Sequence, residues 1–128
     1  MVPLVLAVLL VPAGASQAPT SAPTFDEALV AARESIQAPG GEAYQKEFGK
    51  KSARHLGAAL DECLAGPAAV QSSFQILLKV EADGKVSSAL VRPEVPVTAC
   101  VRDKLRRRTF PKPPAGSTWK LVNARLGP

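Results

Sequence analysis

The spacing of apolar residues along this chain changes period several times, and each change marks the border of an expected element. After residues 2–11, almost all Val, Leu and Ala, Thr24-Phe25-Asp26-Glu27 has the form of a capping box, in which Thr24 and Glu27 satisfy each other's backbone amides at a helix start. Leu29, Ala32 and Ile36 follow at helical spacing, and Ala38-Pro39-Gly40-Gly41 ends that helix. It is short, which predicts loose docking. A second helix is expected over residues 42–65, with Tyr44, Phe48, Leu56, Leu60 and Leu64 on one face. Gly49 and Gly57 interrupt it, so the pattern leaves room for a break near Gly49.

Beyond Gly66-Pro67 the period drops to that of a strand. Phe74, Ile76, Leu78 and Val80 alternate with Gln75, Lys79 and Glu81. Asp83-Gly84 then predicts a type I′ turn and a hairpin whose second strand is residues 86–92. Leu77 and Leu90 fall on the opposite side, which indicates that this side is partly covered too. Pro93 and Pro96 stop the strand and open a third helix near Val97, with Val97, Val101 and Leu105 inside and Cys100 beside them. Phe110-Pro111 ends it. A final strand over residues 119–126 places Lys120, Val122, Ala124 and Leu126 on one face and Trp119, Leu121 and Asn123 on the other.

The expected fold is therefore α+β. A small three-stranded antiparallel sheet carries two packed helices in the order α-β-β-α-β, preceded by a short N-terminal helix. The divisions are residues 1–15, 16–23, 24–41 and 42–128. The first has the apolar run and the small residues Ala13 and Ala15 of a cleavable signal peptide, with cleavage before Ser16. A membrane anchor is the rival reading, but the uninterrupted apolar stretch falls well short of the roughly 20 residues that span a bilayer. A buried helix is the third, and Pro12 and Gly14 break it. The second division, rich in Pro, Ser and Thr, is an extended tether. The third is an accessory helix with its turn, and the fourth is the main domain.

Composition adds two constraints. An exported address is an oxidising one, where two cysteines have a single possible pairing, Cys63 with Cys100. Separate buried thiols are the alternative. The net charge is +5, and much of the excess lies in Arg102, Arg106, Arg107, Arg108 and Lys112. That cluster reads either as a solvated helix end or as a surface for anionic lipid or lipopolysaccharide. Nucleic acid is a poor match, since aromatic residues for base stacking are few.

Catalytic chemistry finds little support. His55 is the only histidine, and on a helix its neighbours Lys51 and Arg54 make an ordinary basic face. Asp26-Glu27 belongs to a cap, and Asp61-Glu62 sits beside Cys63 near a helix end. Gly40-Gly41 lacks the Lys-Ser/Thr of a phosphate loop, and one histidine with two cysteines does not fill a tetrahedral metal site. We expect no enzyme activity, no cofactor and no metal.

Three stretches carry a family resemblance: FQILLKVEADGKVSSALV at residues 74–91, ACVRDKLRRRTFPKPP at 99–114, and WKLVNARL at 119–126. An alternating strand, a D-G-x-V turn, a small-x-x-Cys-Val helix and an aromatic-Pro-x-Pro exit occur in that order. From Phe74 onward the chain thus resembles the TonB C-terminal domain superfamily, in particular the small TonB-like domains of gliding-motility and related periplasmic proteins. The resemblance specifies a fold better than a function. Energy-transducing members use an uncleaved inner-membrane helix and a long Pro-rich spacer, features this sequence does not display. Members of that kind add a short peptide to the edge of their sheet. By analogy, Trp119, Lys120, Leu121, Val122, Asn123 and Ala124 form the expected partner-binding edge. The expected partner is an envelope protein or peptide, and the same edge could pair two copies of this chain.

Overall fold

The structure, a computed structural model, describes residues 22–64 and 73–125. The proposed signal peptide, nearly all of the tether, the Gly66-Pro67 break and Leu126 lie outside the described residues. Three helices and three strands follow one another as α1 (Phe25–Gln37), α2 (Gly41–Cys63), β1 (Phe74–Val80), β2 (Val86–Arg92), α3 (Pro96–Arg106) and β3 (Thr118–Ala124). The sheet is antiparallel in the order β2-β1-β3. This is the α+β architecture expected from the sequence.

Local chemistry sets the helix starts. At α1 the capping box forms in full: the Thr24 hydroxyl accepts from the Glu27 amide at 3.2 Å, and the Glu27 carboxylate accepts from the Thr24 amide at 3.2 Å. At α3, Pro96 occupies the first turn, where a missing N–H costs nothing. The buried Thr98 hydroxyl accepts from the Val95 amide at 2.9 Å and donates to the Pro93 carbonyl at 2.6 Å.

α2 is one unbroken helix through Gly49 and Gly57. The break that the glycines left room for does not occur because its inner stripe is continuous, with Tyr44, Phe48, Ser52 and Ala59 buried and Leu56, Leu60 and Cys63 packed beside them. Burial of that stripe outweighs about 1 kcal/mol of lost propensity per glycine.

The hairpin forms where Asp83-Gly84 placed it, but its turn is of another type. A type I′ turn requires positive φ at two successive residues. Here Gly84 is the only positive-φ residue of the turn, at 88°, and Asp83 instead accepts a hydrogen bond from the Lys85 amide. The Gly84 amide donates to the Glu81 carbonyl, and the pairing then shifts so that Val80 faces Val86 while Lys79 faces Ser88. The sum is an ordinary turn followed by a left-handed glycine, with Ser87 bulged out of register.

Two apolar clusters lie on opposite faces of the sheet. On one, Phe74, Ile76, Leu78 and Val80 of β1 join Val122 and Ala124 of β3, beneath Tyr44, Phe48 and Ala59 of α2, Val101 and Leu105 of α3, and Phe110. On the other, Leu77 is covered by Ala28, Leu29 and Ala32 of α1, with Leu90, Trp119 and Leu121 around them. The expectation of a loosely docked α1 is corrected: Ala28 and Ala32 are 1% and 3% exposed, because small side chains let the helix approach the sheet closely. A disulfide joins Cys63 at the end of α2 to Cys100 in α3, with Cα atoms 5.9 Å apart.

Two predictions follow from this packing. Cys63 and Cys100 are separated by 37 residues, and loop-closure entropy for such a cross-link is worth about 4 kcal/mol. Reduction, or Cys100→Ala with Cys63→Ala, should lower the thermal midpoint sharply in melts run with and without reductant. The second prediction contrasts two glycines. A Cβ at Gly84 would lie 2.2 Å from the Phe110 carbonyl oxygen, whereas one at Gly49 would meet nothing within 4 Å. Gly84→Ala should therefore destabilise by about 1–3 kcal/mol or more, and Gly49→Ala should stabilise by about 0.5–1 kcal/mol, both read by denaturant unfolding.

Candidate functional site

The outer edge of β3 and the basic end of α3 are the two regions indicated by the sequence. In the sheet order β2-β1-β3, both outer strands pair with β1 alone among the described residues. The two edges differ in quality as templates. β2 carries the Ser87 bulge, and the Ser87 hydroxyl donates to Glu81 at 2.5 Å. Bulges of that kind protect an edge from adding another strand. β3 pairs in unbroken register from Thr118 opposite Val80 to Ala124 opposite Phe74.

The side chains of β3 are mostly engaged inside the domain. Lys120, Val122 and Ala124 are buried towards α2 and α3, while Trp119 and Leu121 are half-buried under α1. Asn123 is exposed, and its carboxamide oxygen accepts from the Gln75 side chain at 3.1 Å. Gln75 in turn accepts from Arg92, which pairs with Asp26 at 3.0 Å and stacks 4.2 Å over the Phe25 ring. What the strand can offer a partner is consequently its backbone.

α1 reaches the first half of that backbone at Trp119. α1 packs on one face of β3 and the start of α2 lies towards the other, so the corner between them passes the strand's outer side. Ser35 of α1 marks the crossing: its hydroxyl lies 3.4 Å from the Trp119 carbonyl oxygen and accepts from Lys120 Nζ at 2.8 Å. The corner is tight. A Cβ on Gly41 would come within 2.2 Å of the Ser35 carbonyl oxygen, so only glycine fits there. Leu121, Val122, Asn123 and Ala124 lie beyond this crossing.

The basic residues divide into paired and unpaired sets. Arg102 bonds Glu94 and Asp103, which hold its guanidinium basicity above the ordinary value, Glu94 contributing most. Lys104 pairs with Glu62 and draws that exposed carboxyl below the usual range. Arg106, Arg107, Arg108 and Lys112 are exposed, and among the described residues none of the four forms a salt bridge. The fold also brings Arg108 to α2. His55 sits edge-on against Phe110, with ring centroids 5.3 Å apart, and its Nε2 is 3.3 Å from the Thr109 carbonyl. Burial lowers the His55 basicity most, the Thr109 carbonyl opposes it as the next effect in size, and Arg108, Lys51 and Arg54 lower it further. Lys51 and Arg54 thus lie with Arg108 around His55. Periodicity could assign them to an exposed helix face, but only the tertiary fold shows which neighbour that face has.

Tyr44 ties the exit from α3 to α2. Its hydroxyl donates to the Pro111 carbonyl at 2.8 Å, and its ring lies 6.1 Å from that of Phe48, which stacks on Phe110. Burial and then the nearby Glu47 push the Tyr44 phenol up to about 12.

No family model, curated protein or solved structure matched this chain when each was searched. Among the described residues there is no cluster of three or more His, Cys, Asp or Glu side chains that could hold a metal ion. No helix among them is long and apolar enough to cross a membrane.

The Tyr44 environment gives a pH prediction. Its phenol ionises near 10.0 when free and near 12 in the folded chain, so the folded state holds a proton that the unfolded state releases between those values. The stabilisation is complete below pH 10.0 and lost as pH rises towards 12. Ultraviolet absorbance titration of this single tyrosine should show ionisation delayed to the alkaline unfolding transition, whereas an ordinary midpoint would contradict the burial.

Proposed function

We propose that this chain is an exported, non-enzymatic binding module that takes up an extended segment of an envelope protein or peptide along the outer edge of β3. The observation that carries this reading is the second half of that edge: among the described residues Leu121 to Ala124 are bonded on one side, to β1, in unbroken register. Main-chain hydrogen bonds supply affinity in strand addition, and a strand most of whose side chains serve its own core offers chiefly its main chain, with Asn123 as its one exposed side chain. The resemblance to TonB C-terminal domains points the same way and rests on its motifs. The disulfide supports an oxidising compartment, periplasmic or extracellular.

A second reading is favoured by one observation, the placing of Arg108 beside Lys51 and Arg54 of α2 around His55. In it the protein docks on an anionic surface such as acidic lipid or lipopolysaccharide.

Peptides selected by display against the oxidised protein separate the two. Strand addition predicts amide chemical-shift changes centred on Leu121, Val122, Asn123 and Ala124. It also predicts loss of binding when alternate peptide residues are N-methylated, with little dependence on ionic strength. Shifts centred on Arg106 to Arg108 that vanish in high salt would transfer the function to the basic surface. Binders that disturb only α1 or β2 would reject the β3 assignment outright.

A further inference from the structure

Lys120 is the deepest charged residue described, at 1% exposure. An ammonium removed from water costs several kcal/mol unless an opposite charge and a full set of hydrogen bonds replace its hydration. Lys120 has three donors. One goes to the Ser35 hydroxyl at 2.8 Å and one to the Gln45 carboxamide oxygen at 3.0 Å, while the Tyr44 ring lies 5.3 Å from the nitrogen. All three partners are neutral. None of the salt bridges among the described residues includes Lys120.

The same residue borders a cavity of about 270 Å³ between α1, the start of α2, the turn at residues 113–117 and the start of β3. Its walls are largely apolar, with Ala31, Pro39, Tyr44, Pro114 and Trp119 among them. Gly41, the first residue of α2, also lines it, and the preceding Gly40 gives the helix no side-chain cap. The positive end of the α2 dipole therefore adds to the lysine charge at this spot. The combination is a largely apolar pocket bordered by a buried lysine that has no carboxylate partner among the described residues.

We propose that this cavity is a binding site for a carboxylate carried on a short apolar body, with Lys120 as its counter-charge. Its volume lies just under the range of about 300–1,000 Å³ typical of drug-sized ligands, so the body is no larger than a small organic acid or one terminal residue of a peptide. A charge-assisted hydrogen bond from the free Lys120 donor would hold the carboxylate, and the walls would take the hydrocarbon. Burial already lowers the Lys120 basicity, and an anion bound against it would restore the charged form. The site is separate from the open half of the β3 edge, so either proposal can fail without the other.

Trp119 is the only tryptophan and lies in the wall, so its fluorescence reports occupancy directly. The probes are hexanoate, benzoate and N-acetyl-leucine, with hexanamide, benzamide and N-acetyl-leucinamide as uncharged partners and inorganic phosphate as a control for charge alone. The expected result is a saturable change with the acids and binding weaker by about tenfold or more for each amide. Preference for N-acetyl-leucine over the two free acids would identify a peptide terminus as the source, and the reverse a small metabolite-like acid. Lys120→Met should remain folded with an equal or higher thermal midpoint, since replacing an unpaired buried charge with an apolar chain removes a penalty, and should lose acid binding. Equal affinity for acid and amide, equal affinity for phosphate, or the absence of any saturable signal would overturn the proposal. These comparisons on the unmodified protein decide it even if the Met variant fails to fold. Retained acid binding in a folded Lys120→Met variant would overturn it as well.

Discussion

Ile76, Leu77 and Leu78 are consecutive residues of the central strand, and all three are completely buried. Successive strand side chains point to opposite faces, so neither face of β1 can be left to water and each needs its own cover. A chain of this size has few elements with which to provide it. α2 and α3 cover the Ile76 and Leu78 face together, and α1 covers the Leu77 face alone. The three-layer arrangement, with one helix above the sheet and two below, follows from that requirement. So does the tight corner at Gly41, which lets the chain pass from one face to the other around the β3 edge.

The layer below the sheet is held by covalent and aromatic contacts that act at different points. The disulfide fixes the end of α2 to α3, and Phe48 stacks on Phe110 at 5.1 Å, joining the middle of α2 to the segment that leaves α3. That segment is anchored again where the Phe110 amide donates to the Gly84 carbonyl at 2.9 Å, and where Tyr44 donates to Pro111. The hairpin turn, α2 and the chain leading into β3 thus meet at Phe110. The direction in which residues 111–117 approach the sheet is set there, which brings β3 alongside β1 antiparallel.

Features governed by neighbouring residues were legible in the sequence. The Thr24 to Glu27 cap, the alternation from Phe74 to Val80, the hairpin and the parity of β3 all depend on local spacing, and each stands where the spacing placed it. The departures share a different origin. The turn type depended on whether Asp83 would take positive φ, and it had a cheaper option in accepting from the Lys85 amide. Continuity through Gly49 depended on the long stripe of α2 outweighing a local penalty. Firm docking of α1 was hinted at by Leu77 and Leu90, but its agents are alanines, whose value lies in close approach rather than in hydrophobic bulk. Lys120 was assigned to the same face as Val122 and Ala124. Periodicity cannot say whether a long side chain there carries its charge out to solvent or keeps it inside, and here Ser35 and Gln45 hold it inside.

The corner that crosses β3 bears on recognition as well as on packing. An exposed, regular edge invites pairing with any extended chain, including a second copy of the same protein, and short edges, bulges and covering segments are the common protections. This domain bulges β2 at Ser87 and sets Ser35 of α1 against the Trp119 carbonyl at the start of β3, which leaves the stretch beyond Lys120 as the more open template. Four residues supply few ladder bonds, so a partner held there needs complementary contacts from its alternating side chains. Asn123 is the one exposed side chain between Trp119 and Ala124, and the polar row it forms with Gln75 and Arg92 continues across the sheet to Asp26. Selectivity at this edge would therefore come from polar side chains near Asn123, while the aliphatic residues on either side of it remain committed to the domain's own core.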